Sequence, residues 1–241
     1  MFSTFISLAL VAASTFAAPA PAFPAPPTGL SRPAAGKLTC SVADAKLVLP
    51  AGQTALTAPT DPTSFVILGV GIQNYTCTDA GVYTSAGAVA DLYDLSCLSK
   101  ITPIFNTVQD LAYAAWKIMP ASVKTPGGSP LMGYGFLGSH FFVTSPSGTG
   151  ISPVWDYRAG SAKGNADAFV LAAKVGNIAA PTGSKDVDWL QLKSVQGSLA
   201  TQIYRTDTRG GQPPASCKPG SAPISVKYVS KYWLFGGSVK V

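Results

Sequence analysis

Apolar and polar positions alternate in short runs along most of the 241-residue chain, and glycine and proline separate the runs. Phe65 to Val70 is a solid apolar run that passes into Gly71-Ile72-Gln73-Asn74-Tyr75-Thr76-Cys77, where the pattern alternates. A run of this kind predicts one long central strand, buried on both faces at its start. Asp79-Ala80-Gly81 closes it as a turn. Leu47-Val48-Leu49, ahead of Pro50-Ala51-Gly52, reads as a shorter strand and turn. Ser139 to Val143 and Val154 to Tyr157 flank the polar stretch Ser145 to Pro153 and read as a hairpin. Asp188 to Leu192 and Ala200 to Arg205 alternate with period two, which places every second side chain on one face of a strand. Ile224 to Tyr228 and Tyr232 to Phe235 read as two closing strands.

One segment changes period. From Thr102-Pro103 to Met119, the residues Ile104, Val108, Leu111, Ala115 and Ile118 recur at steps of three and four. That spacing predicts a helix whose apolar stripe packs on a sheet. Thr102 suits the cap and Pro103 the first helical position, and Pro120 stops the helix. The whole pattern predicts a mostly β fold, an antiparallel β-sandwich or barrel with one inserted α-helix over about 103–119.

Composition adds a compartment. Phe5 to Ala13 is an apolar run, shorter than the roughly 20 residues a bilayer span needs, and Thr15-Phe16-Ala17 suits a signal peptidase. We read residues 1–17 as a signal peptide, 18–36 as a Pro/Ala-rich leader and 37–241 as a single β-rich domain of a secreted protein without an integral membrane segment. The four cysteines, Cys40, Cys77, Cys97 and Cys217, then predict two disulfides. Four cysteines permit three pairings, and their spacing does not choose among them. There is no C-x-x-C and only one histidine, so no metal site and no cofactor is expected. The net charge of +6 comes from scattered residues rather than a basic stripe, which argues against nucleic acid as a partner.

Candidate chemistry is thin. His140 is the only histidine, the side chain whose ordinary pKa lies near neutrality. The expected hairpin could bring Asp156 beside it, making His140 and Asp156 the catalytic candidates as an acid–base pair. The plainer reading of His140 is structural, hydrogen-bonded at a sheet edge. No G-x-S-x-G elbow supplies a nucleophile. Trp155, Tyr157 and Trp189, with Tyr204, are the ligand-binding candidates, because exposed rings stack on sugars whereas buried ones fill a core. Asp186 and Asp188 share a strand face and read as solvated, not as a glycosidase pair. Arg205 and Arg209 flank Asp207 and read as local ion pairs. Asn74-Tyr75-Thr76 is an N-glycosylation sequon, although a strand beside a bridged cysteine disfavours attachment at Asn74.

Several of these segments together resemble a known family. They are Gly69-Val70-Gly71-Ile72-Gln73-Asn74-Tyr75-Thr76-Cys77, Gly138-Ser139-His140-Phe141-Phe142, Pro153-Val154-Trp155-Asp156, Val187 to Leu192, and Ile203 to Cys217. In this order, with an aromatic strand at Tyr228 to Tyr232, they resemble the secreted bacterial and fungal proteins known as domain of unknown function 3455. The resemblance implies the pairing Cys77–Cys217, which leaves Cys40–Cys97. Fungal members are often labelled malate dehydrogenases. The residues argue against such an activity here, because Gly69 and Gly71 have no third glycine and no following helix to receive a dinucleotide. The expected function is that of a non-catalytic extracellular or cell-wall-associated domain whose partner is a small or carbohydrate ligand. The alternative is a secreted enzyme using His140 and Asp156.

Overall fold

A computed structural model describes residues 40–127 and 135–241. The expected signal peptide and leader lie outside the described residues. The strands are β1 (Thr63–Cys77), β2 (Tyr83–Asp94), β3 (Phe136–Thr144), β4 (Ile151–Asp156), β5 (Phe169–Ile178), β6 (Trp189–Gln196), β7 (Gln202–Gly210) and β8 (Ile224–Phe235). Each pairs antiparallel with the next in chain order, and β8 returns to β1 to close a barrel. Of the two architectures expected, the barrel is the one formed. Closure pairs both edges of the sheet, so the described barrel presents no open edge strand.

The long strand expected at 65–77 is β1, and the hairpin expected around 145–153 is β3–β4. Three expectations are corrected, and two strands were not expected. Leu47 to Leu49 form no strand; Leu47 and Leu49 pack as extended chain on the outer wall. Ile224 to Phe235 is one strand, not two, because Val229, Ser230 and Lys231 pair with Val70, Gly69 and Leu68 and leave no turn between. The strands β2 and β5 carry no sequence expectation at all. The helix, α1 (Thr102–Lys117), is where expected but turned.

That turn has a physical cause. Phe105, Val108, Ala112, Tyr113 and Trp116 of α1 pack against the outer wall formed by β8, β7 and β1. Ile104, Leu111 and Ile118 face out instead, 44%, 64% and 79% exposed. The large rings bury more apolar area than the aliphatic stripe would. Phe105 meets Trp233 edge to face at 5.8 Å, and Trp116 Nε1 donates to the Gly71 carbonyl at 2.7 Å. Thr102 does not cap; it lies in the first turn, and Ile101 precedes it without a side-chain cap bond. At the other end Lys227 Nζ donates to the Trp116 and Met119 carbonyls, placing a cation where helix carbonyls are unpaired.

Both disulfides expected from the resemblance are formed, Cys40–Cys97 and Cys77–Cys217. Cys40–Cys97 ties the segment before β1 to the connection between β2 and α1. Cys77–Cys217 ties the end of β1 to the long β7–β8 loop.

The lumen is filled from one end. Phe65, Leu137, Tyr157, Ala162, Ala168, Leu199, Ala200 and Val239 form a continuous buried cluster there. Phe65 and Tyr157 meet edge to face at 5.3 Å. The residues after β8 cross this end, where Ser238 N donates to the Ser198 carbonyl at 3.1 Å and Val239 is buried. The opposite end, framed by the β1–β2, β3–β4, β5–β6 and β7–β8 connections, is different.

Candidate functional site at the open end of the barrel

Register decides which side chains enter the lumen. On β1 the inward positions are Ile67, Gly69, Gly71 and Gln73, and their β8 partners are Tyr232, Ser230, Tyr228 and Val226. On β3 and β4, His140 pairs with Trp155 and both point inward. On β6 and β7, Leu190 pairs with Arg205 and Leu192 with Ile203.

Trp155, His140 and Tyr232 meet across the middle of the lumen. The His140 ring stacks on Trp155 at 4.5 Å, and Tyr232 lies 5.4 Å from His140 and 5.3 Å from Trp155. Gly69 makes room for this layer: a Cβ there would overlap the Tyr232 ring. Tyr232 in turn shares a hydroxyl–hydroxyl bond of 2.9 Å with Tyr228. Burial pushes the Tyr228 phenol well above its usual pKa, and the Tyr232 hydroxyl adds to the rise.

His140 is a neutral ring in this layer. Its Nδ1 lies 2.9 Å from the Val154 carbonyl, an acceptor only, so Nδ1 carries the proton and Nε2 is left as an acceptor. Burial pulls its pKa from 6.5 down to about 3, with the Val154 bond opposing the shift and the nearby Arg205 charge adding to it. A base this weak is poorly matched to proton abstraction near neutral pH.

Asp156 stands elsewhere. It pairs with Ser139, one residue out of phase with His140, and its side chain is on the outer wall. There it holds Arg158 through two bonds, Nε to Oδ1 at 2.9 Å and Nη2 to Oδ2 at 2.7 Å. The structure does not bring His140 and Asp156 together. Nor does it gather the aromatic candidates. Trp155 is at mid-lumen, Tyr157 is in the filled end, and Trp189 is outside the wall against Leu56 and Ala180. Tyr204 is buried on the outer wall, its hydroxyl donating to the Thr57 carbonyl at 2.8 Å. None of these rings is an exposed stacking platform. The ion pairs expected around Asp207 are also rearranged: Asp207 pairs with Lys231, and Arg209 with Asp110. Asn74 faces outward, half-buried, with Oδ1 accepting from Ser225 Oγ at 2.8 Å.

Above the aromatic layer the lumen opens. Phe142, Leu190 and Arg205 point inward yet are only half-buried, whereas Tyr75 at this end is buried, its hydroxyl donating to the Gly211 carbonyl at 2.8 Å. Arg205 donates from Nε and Nη2 to the Asp188 carbonyl at 3.0 and 2.9 Å. It makes no ion pair with a carboxylate among the described residues. The Asp188 carboxylate turns instead to Asn177 Nδ2, at 2.7 Å. The buried Gln73 amide faces Tyr228 closely enough to favour the ionised phenol, yet its Nε2 makes no hydrogen bond of good geometry. Trp155 Nε1 and Ser230 Oγ, deeper in the lumen, are likewise without partners.

Gln73, Arg205, Tyr228, Ser230 and Tyr232 carry no sequence expectation of a site. The signal was present in the period of β7 and β8: Arg205 falls in phase with Ile203, and Tyr228 in phase with Tyr232. Among the described residues no three His, Cys, Asp or Glu side chains approach as metal ligands would. No helix among them is long and apolar enough to cross a membrane.

Gly69 and Gly71 lie inside β1, which runs on to Cys77 without a turn into a helix. The loop–helix cradle of a dinucleotide site is therefore not formed there. Fold and site together define a disulfide-bonded, closed eight-stranded antiparallel barrel, filled at one end and open at the other. Residues 58–236 match the model of a family described as Protein of unknown function (DUF3455), and the chain belongs to that family. No curated protein and no solved structure matches the chain.

Proposed function

We propose that this is an extracellular, non-catalytic binding protein whose open lumen takes a small ligand. The observation that carries the reading is the contrast within one barrel: inward side chains are buried at one end, where Tyr157 Oη is unpaired, and half-buried at the other, with Trp155 Nε1 and Ser230 Oγ unpaired beneath them. Eight-stranded barrels have room for one small ligand at most beyond their own side chains. Ala88, opposite Gln73, and Ala172 are small buried residues of the lumen. Two disulfides with no free cysteine suit an oxidising compartment and agree with the leader read from the sequence. A small ligand is favoured over a wall polysaccharide because the aromatic candidates for sugar stacking are buried.

The test is titration of the folded protein with the neutral apolar probe N-phenyl-1-naphthylamine. Saturable binding of one probe per chain, abolished by Leu190→Trp at the mouth, is expected. Absence of saturable binding, or binding that Leu190→Trp leaves intact, refutes the reading. We also propose Asn74 as a glycan site on the outer wall, clear of the lumen. A band on an electrophoresis gel that glycosidase treatment does not shift refutes that assignment.

A further inference from the structure

We infer that the open lumen selects a ligand bearing a carboxylate on a flat apolar body, with the carboxylate docking on Arg205. This rests on the lumen-binding reading above and names the ligand class.

Donors outnumber acceptors around the upper lumen. Arg205 spends Nε and Nη2 on the Asp188 carbonyl, and its Nη1 makes no hydrogen bond among the described residues. Trp155 Nε1 is a donor-only group with no acceptor, and Trp155 is 1% exposed; Gln73, 5% exposed, reaches only the Tyr228 hydroxyl, without an Nε2 bond of good geometry. The Ser230 hydroxyl beneath them is also unpaired. Buried polar groups are ordinarily paired, so an unpaired cluster in one lumen calls for an explanation. Water fills such a role imperfectly, because each water that accepts from these groups brings two hydrogens needing acceptors of their own. The neutral His140 offers Nε2 as one. A carboxylate brings no hydrogens and about four lone-pair sites, and it matches the guanidinium edge in plane.

Charge points the same way. Arg205 is the charged side chain inside the lumen, and with His140 neutral no second charge accompanies it. The Asp188 carboxylate at the rim is engaged by Asn177 rather than by Arg205. A half-buried guanidinium without a carboxylate partner is strongest toward an anion that enters from the mouth. The apolar body follows from what surrounds it: Phe142 and Leu190 offer apolar faces at the height of Arg205, over the His140–Trp155 stack. The Phe142 ring stands edge-on to His140 at 5.4 Å.

The experiment is calorimetric titration of the disulfide-intact protein at pH 7 with benzoate, its neutral isostere benzamide, and acetate. Benzoate is expected to bind at least tenfold tighter than benzamide, and acetate, which lacks the ring, at least tenfold weaker than benzoate. Arg205→Gln is expected to erase the benzoate–benzamide difference by weakening benzoate at least tenfold. Equal binding of benzoate and benzamide overturns the carboxylate assignment and leaves lumen binding standing. A benzoate preference that survives Arg205→Gln overturns the role of Arg205. Binding of none of the three overturns the inference, and the naphthylamine titration then decides the wider reading by itself. Should Arg205→Gln fail to fold, the comparison of the three compounds on the unsubstituted protein still decides.

Discussion

The two ends of this barrel are built by the same eight strands and yet have opposite solvation. At the filled end Phe65, Tyr157, Leu199 and Val239 pack without access to water, and the residues after β8 lie across the opening. At the other end Arg205, Leu190 and Phe142 occupy equivalent inward positions and remain wet. The difference lies in the connections and not in the strands. The turns at 157–168 and 197–201 fold inward and contribute Ala162, Ala168, Leu199 and Ala200 to the core. The 145–150 turn is exposed, whereas the β7–β8 loop starts against the lumen, where Gly211 lies on Gln73 and Tyr228 and accepts the Tyr75 hydroxyl, before Cys77–Cys217 ties it back to β1. Stability therefore concentrates at one end and chemistry is available at the other, a division that local unfolding energetics favours.

The largest expected effects come from the covalent ties. In the chain-entropy picture, a bridge closing 140 residues stabilises by about 5 kcal/mol and one closing 57 residues by about 4 kcal/mol. Replacing Cys77 and Cys217 together by serine should lower urea-unfolding stability slightly more than replacing Cys40 and Cys97, and it should also loosen the open end. Equal losses and an unaltered lumen, read by native-state hydrogen exchange of the β1 and β8 amides, would separate the bridge from the mouth. Next in size is Leu199→Ala. Leu199 is fully buried in the filled end, so the substitution leaves a dry cavity and should cost about 3 kcal/mol. A loss below about 1 kcal/mol in urea unfolding would mean that this end is not the dry core described.

How much of this was legible depends on the element. β1 could be read because Phe65 to Val70 is a solid apolar run and Ile72, Tyr75 and Thr76 carry the strand pattern on past Gly71. β2 could not: in Ser85-Ala86-Gly87-Ala88-Val89-Ala90 the branched Val89 is the one residue of the kind that marks strands. The structure gives the reason, since Ala88 and Ala90 stand opposite Gln73, Gly71 and His140, where larger residues would crowd the lumen. The hairpin of β3 and β4 was readable but its register was not, and a slip of one residue exchanges inner and outer faces. That single uncertainty is what separates a His140–Asp156 pair from the observed His140–Trp155 stack. The ion pairing around Asp207 was hidden by a bulge. The register shifts between Thr206 and Arg209, where Asp207 takes a positive φ of 49°. The bulge turns Asp207 toward Lys231 and sends Arg209 to α1, so neighbours in sequence do not pair in space.

His140 lies between the two ends and reports on both. Its pKa is about 3 in the folded protein against 6.5 for an exposed ring, so the unfolded chain binds its proton first. The stability it contributes is complete above pH 6.5 and is lost as pH falls toward 3, at up to about 1.4 kcal/mol per pH unit. His140→Gln should flatten the pH dependence of unfolding in that window relative to the unsubstituted protein. Parallel curves for the two proteins between pH 6.5 and 4 would show that water reaches the ring, and the dry middle layer would have to be given up.

The smallest effect sharpens the comparison most. Leu190→Ala removes the same atoms as Leu199→Ala from the same lumen, on strand β6 instead of the turn that follows it. Leu190 is half-buried at the wet end, so part of its apolar surface already meets water and water enters the space its methyl groups leave. The cavity contribution then falls away and about 1 kcal/mol of lost burial remains. The two leucines differ in one respect, whether the barrel end beside them admits solvent. Equal losses for Leu190→Ala and Leu199→Ala in urea unfolding would show that both ends are dry, and a lumen closed at both ends has no route for a ligand.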